Sequence, residues 1–399
     1  MRTRTGSHVV LGATLALAVF LLAAPNGART SGVEDWSGTA LARAKSAPLG
    51  LPPVPHPAEN QPTRAKIELG RKLFFDRRLS INRTMSCAMC HIPEQGFANR
   101  ELRTAVGVEG RSGRRNAPTI LNVAYLDSLF VDGRDGALET QYIAPLTAPN
   151  EMANPSAGYV VALLRRLPDY DGPFERAFGA GPSLDRIGKA LAAYQRSLVA
   201  GGSPFDRWYY GGEAGALSEA EKRGFALFTG AAGCVACHRI GETTAIFTDQ
   251  AFHDTGYGWW REQQRQNPPP EQRVEVAPGV VYALPWRTVA SVGEEAAPDL
   301  GRYEVTLDPA DRWKFRTPGL RNVALTPPYM HDGGLPDLMA VLRFYNDGGR
   351  PHSGQDAAIR PLDLGQRALE DLAAFLGALT SPEVPRLVEE ARSAAPDNW

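Results

Sequence analysis

The chain has 399 residues, 43% hydrophobic and 22% charged, which is soluble globular composition with length for two domains. Its 43 Lys and Arg nearly balance 44 Asp and Glu, for a formal net charge of -1. That balance excludes the basic surface of a nucleic-acid binder, and no run of like charge forms an interaction tail.

From the start of the chain, Arg2 and Arg4 precede an apolar stretch, Val9 to Ala24, with small residues and an expected cut after Ala28. This reads as a secretory signal over residues 1–28, too short for a membrane span. No Cys lies near the cut, so a lipid anchor is not expected, and the mature chain would carry -3. Residues 29–62 are rich in Pro, Ala, Gly and Ser and read as a flexible lead-in.

Helical patterns follow. Ile67, Gly70 and Phe74 mark one segment, and Ile187, Leu191, Tyr194 and Leu198 share a face in Ser183 to Leu198. Ser218 and Glu221 form a capping box that opens a helix to Phe228. Leu369, Leu372, Phe375, Leu376 and Leu379 form a last amphipathic face, and Pro382 stops it. Gly258 to Asp311, with Trp259-Trp260 and Pro268-Pro269-Pro270, shows no regular pattern and reads as a long functional loop.

All four Cys lie in two pentapeptides, Cys87-Ala88-Met89-Cys90-His91 and Cys234-Val235-Ala236-Cys237-His238. Vicinal disulfides or a structural zinc site would use the Cys pairs, but neither explains a His directly after each second Cys. Covalent attachment of c-type haem does: each Cys forms a thioether, and the His becomes the proximal iron ligand. Leu69-Gly70-Arg71-Lys72-Leu73-Phe74 precedes the first pentapeptide, and Arg223-Gly224-Phe225-Ala226-Leu227-Phe228 the second. Two similar helical haem domains in tandem follow, over residues 63–213 and 214–380, with a joint near Gly211 to Gly215 and a tail over 381–399.

Longer stretches carry a resemblance. They are Leu69 to Asp76, Arg115-Asn116-Ala117-Pro118-Thr119, Asp132-Gly133-Arg134, Pro149-Asn150-Glu151-Met152, Ser203-Pro204-Phe205-Asp206, Phe315 to Val323 and Pro328-Tyr329-Met330-His331-Asp332-Gly333. From about Ala65 to Thr380 the chain resembles the bacterial dihaem cytochrome c peroxidase family, and especially its MauG-like branch. The resemblance implies an all-α fold of two tandem cytochrome c-like haem domains with long loops. It implies two covalently bound haem c groups, the N-terminal one reacting with peroxide and the C-terminal one transferring electrons. It also implies a Ca2+ ion between the domains, and a periplasmic location.

The matching positions assign roles. Glu151 matches the distal acid-base group, which takes a proton from bound peroxide and delivers it to the leaving oxygen. Gln141 matches a distal-pocket residue and Pro145 a pocket wall. The side chain of Asn116 and the backbone carbonyls of Thr326 and Pro328 match the calcium ligands, an oxygen set that suits Ca2+. The sixth ligand of the second haem lies fourteen residues after the His of Pro-Tyr-Met-His-Asp-Gly, which is Tyr345 here. The better-known peroxidases have Met there and MauG has Tyr; Met330 and Met339 are the other candidates. A thioether raises the haem potential, whereas a tyrosine oxygen is a harder donor that favours oxidised iron.

Two departures stand out. Many family members have a relay Trp directly before the Asp-Gly-Arg, where this chain has Val131; either another aromatic, Tyr125 or Phe130, takes over or inter-haem transfer is slower. The His that blocks the peroxidatic haem in better-known peroxidases belongs between Phe97 and Arg115, and none occurs there. The expected substrate is hydrogen peroxide, with a protein electron donor or protein substrate: a small cytochrome c, a cupredoxin, or a Trp-bearing secreted protein. Trp259, Trp260, Arg261 and Arg265 have hot-spot composition and are the expected contact for it, the alternative being Trp residues packed over the second haem domain. The alternative function is an electron-carrying dihaem cytochrome with both irons fully ligated.

Overall fold

A computed structural model describes residues 35–277, 279–292 and 297–393. The expected signal, Arg2 and Arg4 through Ala28, lies outside them. The described residues belong to one compact unit that begins at Asp35.

The architecture is mostly helical. Eight helices of nine residues or more carry it among the described residues: α1 Trp36–Lys45, α2 Arg64–Phe75, α3 Leu184–Arg196, α4 Glu219–Thr229, α5 Tyr257–Gln266, α6 Leu338–Asn346, α7 Gln366–Gly377 and α8 Val384–Arg392. Two small antiparallel pairs lie in the connections: β1 Phe252–His253 with β4 Phe315–Arg316, and β2 Glu271–Ala277 with β3 Val280–Pro285. Helix starts follow local chemistry. Ser183 accepts from Arg186 N at 3.2 Å, and Ser218 and Glu221 cap each other as their spacing requires.

Apolar faces gather into two large clusters. Ile67, Leu73 and Phe74 of α2 meet Ile187, Leu191 and Tyr194 of α3 in the first. Phe228 of α4 meets Leu369, Leu372 and Phe375 of α7 in the second, together with Phe205 and Phe247. Phe205 is fully buried there, so the chain enters the second cluster before the expected joint at Gly211 to Gly215.

Three local expectations are corrected. The flexible lead-in contains α1, because Trp36, Ala40 and Ala44 recur at helical spacing and pack on the first cluster. The tail contains α8, whose Val384, Leu387 and Ala391 return to that same cluster, with Glu390 paired to Arg43 of α1. Gly258 to Asp311 holds α5, the β2–β3 hairpin and a helix at Trp286–Val292. Pro and Gly content masked these short elements, since composition does not register pairing partners.

The internal repeat has a packing cause. A Cβ on Gly70 would lie 1.9 Å from the carbonyl oxygen of Ala190, and one on Gly224 would lie 2.0 Å from that of Asp371. Each glycine lets its helix cross a partner backbone to backbone. Gly70→Ala is therefore expected to destabilise the fold by at least about 1–3 kcal/mol, as overpacking does, measured by denaturant unfolding of the holoprotein.

The structure extends the repeat by a second stretch, offset by 200 residues. Asn122 and Asn322 both adopt left-handed backbone, at φ 61° and 62°, as do Phe130 and Met330, and Gly133 and Gly333. Isolated bridges Leu129–Asp135 and Tyr329–Leu335 close equivalent turns. The two copies exchange hydrogen bonds: Asn116 N donates to His331 O, and Arg316 N to Val131 O, both at 2.8 Å. This reciprocity places 131 and 331 at equivalent positions on one seam.

Candidate active site

The first pentapeptide forms a short helix, Cys87–Cys90, and the second a 3-10 turn, Cys234–Ala236. All four thiols are free. Burial pushes Cys87 up to about 12, and Cys90 and Cys234 to about 11.

The two His that follow are prepared alike. His91 Nδ1 lies 2.9 Å from the carbonyl oxygen of Pro118, and His238 Nδ1 2.9 Å from that of Phe247. A carbonyl only accepts, so each Nδ1 carries the proton and each Nε2 keeps its lone pair. Burial lowers both pKa values and keeps the rings neutral. A neutral imidazole oriented through Nδ1 by a backbone carbonyl is the form that binds a metal.

The surroundings of the two pentapeptides differ. Glu151 lies within electrostatic range of Cys87 and Cys90, and raises both thiols further. Burial raises its own pKa, against the opposing pull of Arg134. Its turn is closed by Glu151 N donating to Ala148 O at 3.0 Å, and is covered by Val108 N donating to Glu151 O at 2.9 Å. Gly107 permits that cover, since a Cβ there would lie 2.3 Å from the carbonyl oxygen of Asn150. Pro145 accepts from Met152 N at 3.1 Å on the helix just before Glu151. Gln141 ends the short helix Leu138–Gln141 and is half-buried.

At the second pentapeptide the neighbour is Tyr345, near the end of α6. Burial raises its pKa, and Cys234 and Cys237 raise it further. Met339 lies partly buried at the second cluster, and Met330 is half-buried in a turn at φ 72°.

Comparison with known proteins gives the family. Residues 64–214 match the family model for di-haem cytochrome c peroxidase. The methylamine utilization protein MauG of Methylorubrum extorquens is 38% identical over 371 residues, covering 90% of this chain and 92% of that protein. The chain belongs to the di-haem cytochrome c peroxidase family. It is therefore an oxidoreductase of a family that carries two haems. Cytochrome-c peroxidase IdrP1 of Denitromonas iodatirespirans is 38% identical over 87% of this chain and 90% of that protein. A crystal structure of a MauG-like protein associated with microbial copper homeostasis superposes with a TM-score of 0.69 at 31% identity, covering 85% of this chain and 96% of that one.

Other expected residues of this di-haem family member fall as follows. Asn116 Nδ2 lies 3.3 Å from the carbonyl oxygen of Pro328. Thr326 follows the 3-10 turn Val323–Leu325 nearby in the chain. Tyr125 sits in a small apolar cluster with Leu51, Val54 and Val199, and its hydroxyl has no partner. Phe130 lies under the Arg134 guanidinium, 3.5 Å from its ring centroid. The Trp259 segment is largely engaged within the chain. Trp259 stacks on His352 at 4.9 Å, and Arg261 pairs with Asp332 at 2.7 Å. Arg265 pairs with Glu262 at 2.8 Å.

Sequence reasoning missed the seam itself. His331 stacks on Phe315 at 4.0 Å, and Arg115 joins Asp132 to Asp299 there. The signal was present in the spacing of Pro118 and Pro318, and of Asp132-Gly133 and Asp332-Gly333. A search for repeats at long offset would have found it.

Proposed function

We propose that the chain is a periplasmic, peroxide-dependent dihaem oxidoreductase with an open first haem and a closed second one. Haem attaches at Cys87 and Cys90 with His91 as proximal ligand, and at Cys234 and Cys237 with His238. Bound there, the two haems supply the redox chemistry that takes up the two oxidising equivalents of hydrogen peroxide. The observation that carries the reading is the asymmetry of the two surroundings: the carboxyl of Glu151 beside the first pentapeptide and the phenol of Tyr345 beside the second.

Glu151 acts as the proton shuttle. Its carboxylate would take up and hand on the proton that passes from one peroxide oxygen to the other as the O–O bond breaks, the haem supplying the electrons. Burial supports this role, because it raises the Glu151 pKa above its ordinary value and so makes the carboxylate a better proton acceptor. Gln141 hydrogen-bonds the bound peroxide, and Pro145 walls the pocket. Tyr345 would help hold the second haem through its phenol oxygen. Burial, with Cys234 and Cys237 nearby, holds its hydroxyl protonated, so a metal ion would be needed to draw the proton off. Asn116, with the carbonyls of Thr326 and Pro328, holds Ca2+; the amide would turn its oxygen inward to do so.

Electrons come from a protein partner, a small cytochrome, a cupredoxin or a secreted protein whose aromatic side chains are oxidised. A tyrosine-ligated second haem favours the last, because a hard oxygen donor stores an oxidising equivalent better than an electron. The test is the resting ferric holoprotein mixed with hydrogen peroxide and no reductant, followed by stopped-flow spectroscopy. With no His between Phe97 and Arg115, the first haem is expected to react at once. A ferric protein that stays inert until one electron is added would overturn the open-site reading. A ferric spectrum of low-spin haem alone would support the carrier alternative.

A further inference from the structure

Tyr257 opens α5 beside the seam. It is buried, 2% exposed, and its hydroxyl donates to Asp332 Oδ1 at 2.9 Å. Asp332 is held in turn by Arg261 at 2.7 Å and Arg103 at 2.6 Å, which keep it ionised. The Tyr257 ring is edge-on to Phe344, with centroids 5.7 Å apart, and Phe344 meets Tyr345 at 5.1 Å. On another side Trp260 lies 5.6 Å away and is half-buried. A continuous run of rings therefore leads from the second pentapeptide's Tyr345 to Trp260.

We propose that Tyr257, with Asp332 as its proton acceptor, is a redox relay that carries electrons from a partner at Trp260 to the second haem site. This deepens the functional reading above and rests on it. A buried phenol is hard to oxidise unless its proton leaves with the electron, so it needs a base in hydrogen-bond contact. The other buried tyrosines lack that base or the ring path. Tyr125 and Tyr194 have hydroxyls with no partner, and Tyr142 donates to the backbone carbonyl of Leu184. Tyr170 donates to Asp76 at 2.8 Å, but its ring neighbour is Phe174 in the first cluster, and that pair does not reach Tyr345. Among the described residues, Tyr257 alone combines a carboxylate with rings that reach Tyr345.

The electron count closes one step at a time. Tyr257 gives one electron toward the oxidised second site, and its hydroxyl proton moves to Asp332. The products are a neutral tyrosyl radical and a protonated Asp332. An electron from the protein donor, entering through Trp260, reduces the radical, and the proton returns from Asp332. Two such turns deliver the two electrons with which hydrogen peroxide and two solvent protons become two waters. The guanidinium groups of Arg350 and Arg261 lie 5.4 and 5.7 Å from the Trp260 ring centroid. They oppose a positive charge on that ring, so the oxidising equivalent rests on Tyr257, whose oxidised form is neutral.

The experiment is freeze-quench electron paramagnetic resonance of the ferric holoprotein mixed with peroxide and no donor. The optical change of the haems shows that reaction has begun. The wild-type chain is expected to give a tyrosyl signal that narrows when its tyrosine rings are deuterated. Tyr257→Phe, which keeps the ring contacts, should lower that signal at least tenfold. Trp260→Phe should keep the signal and slow its decay by added donor. An equal tyrosyl signal in Tyr257→Phe would overturn the relay, as would no tyrosyl signal in a wild-type chain whose haems do react. Haems that peroxide leaves unchanged would instead overturn the functional reading, and the relay with it.

Discussion

Glu151→Gln is expected to slow the reaction of the ferric holoprotein with hydrogen peroxide by about 10²–10⁴-fold, the contribution of a positioned general acid-base group. Gln keeps the size and hydrogen-bonding reach of the side chain, but it cannot take up a proton at neutral pH. The pH profile separates this loss from a change of shape. Burial raises the Glu151 pKa, so its carboxylate form is present above that raised value and lost as pH falls through it. The wild-type rate should therefore fall on the acid side, at a pH above the ordinary carboxylate range. In Glu151→Gln this acid limb should vanish while the ferric spectrum stays as in the wild type. A variant that keeps the limb would remove Glu151 from the proton path and leave Gln141 as the neighbouring polar candidate.

The second large effect is expected at Tyr345. Tyr345→Phe removes one oxygen from a side chain beside Cys234 and Cys237 and leaves the ring contact with Phe344 in place. The low-spin signature of the second haem should be lost or altered, and the state formed with peroxide should decay much faster than in the wild type. Because axial ligation spans roughly 0.8 V of haem potential, loss of a hard oxygen donor should raise the second-haem potential by on the order of a tenth of a volt. Spectroelectrochemical titration measures this without turnover. An unchanged spectrum and potential would exclude Tyr345 as ligand and return the role to Met330 or Met339.

Some of this was readable one residue at a time. The two Cys-x-x-Cys-His pentapeptides are short and contiguous, and their chemistry needs no distant partner. Helix caps such as Ser183 and Ser218 are equally local, since the bond closes within three residues. Glu151 and Tyr345 were readable only through family resemblance. Nothing in their immediate neighbours distinguishes them from a surface acid or a packed aromatic.

The sequence by itself displayed the two Cys-x-x-Cys-His pentapeptides, the faces of α2, α3 and α7, and the capped start of α4. Each depends on residue type and on spacing along one element. Tertiary structure alone decided the rest. It returned α8 to the first cluster and folded α1 out of a stretch whose composition reads as disordered. It set Glu151 near Cys87 and Cys90 across about sixty residues of chain, and enclosed Tyr257 against Asp332 across 75. The physical reason is that burial and pairing are properties of the assembled core. A carboxyl's pKa, a phenol's proton acceptor and a ring's neighbours arise only when distant segments exclude water from the same place.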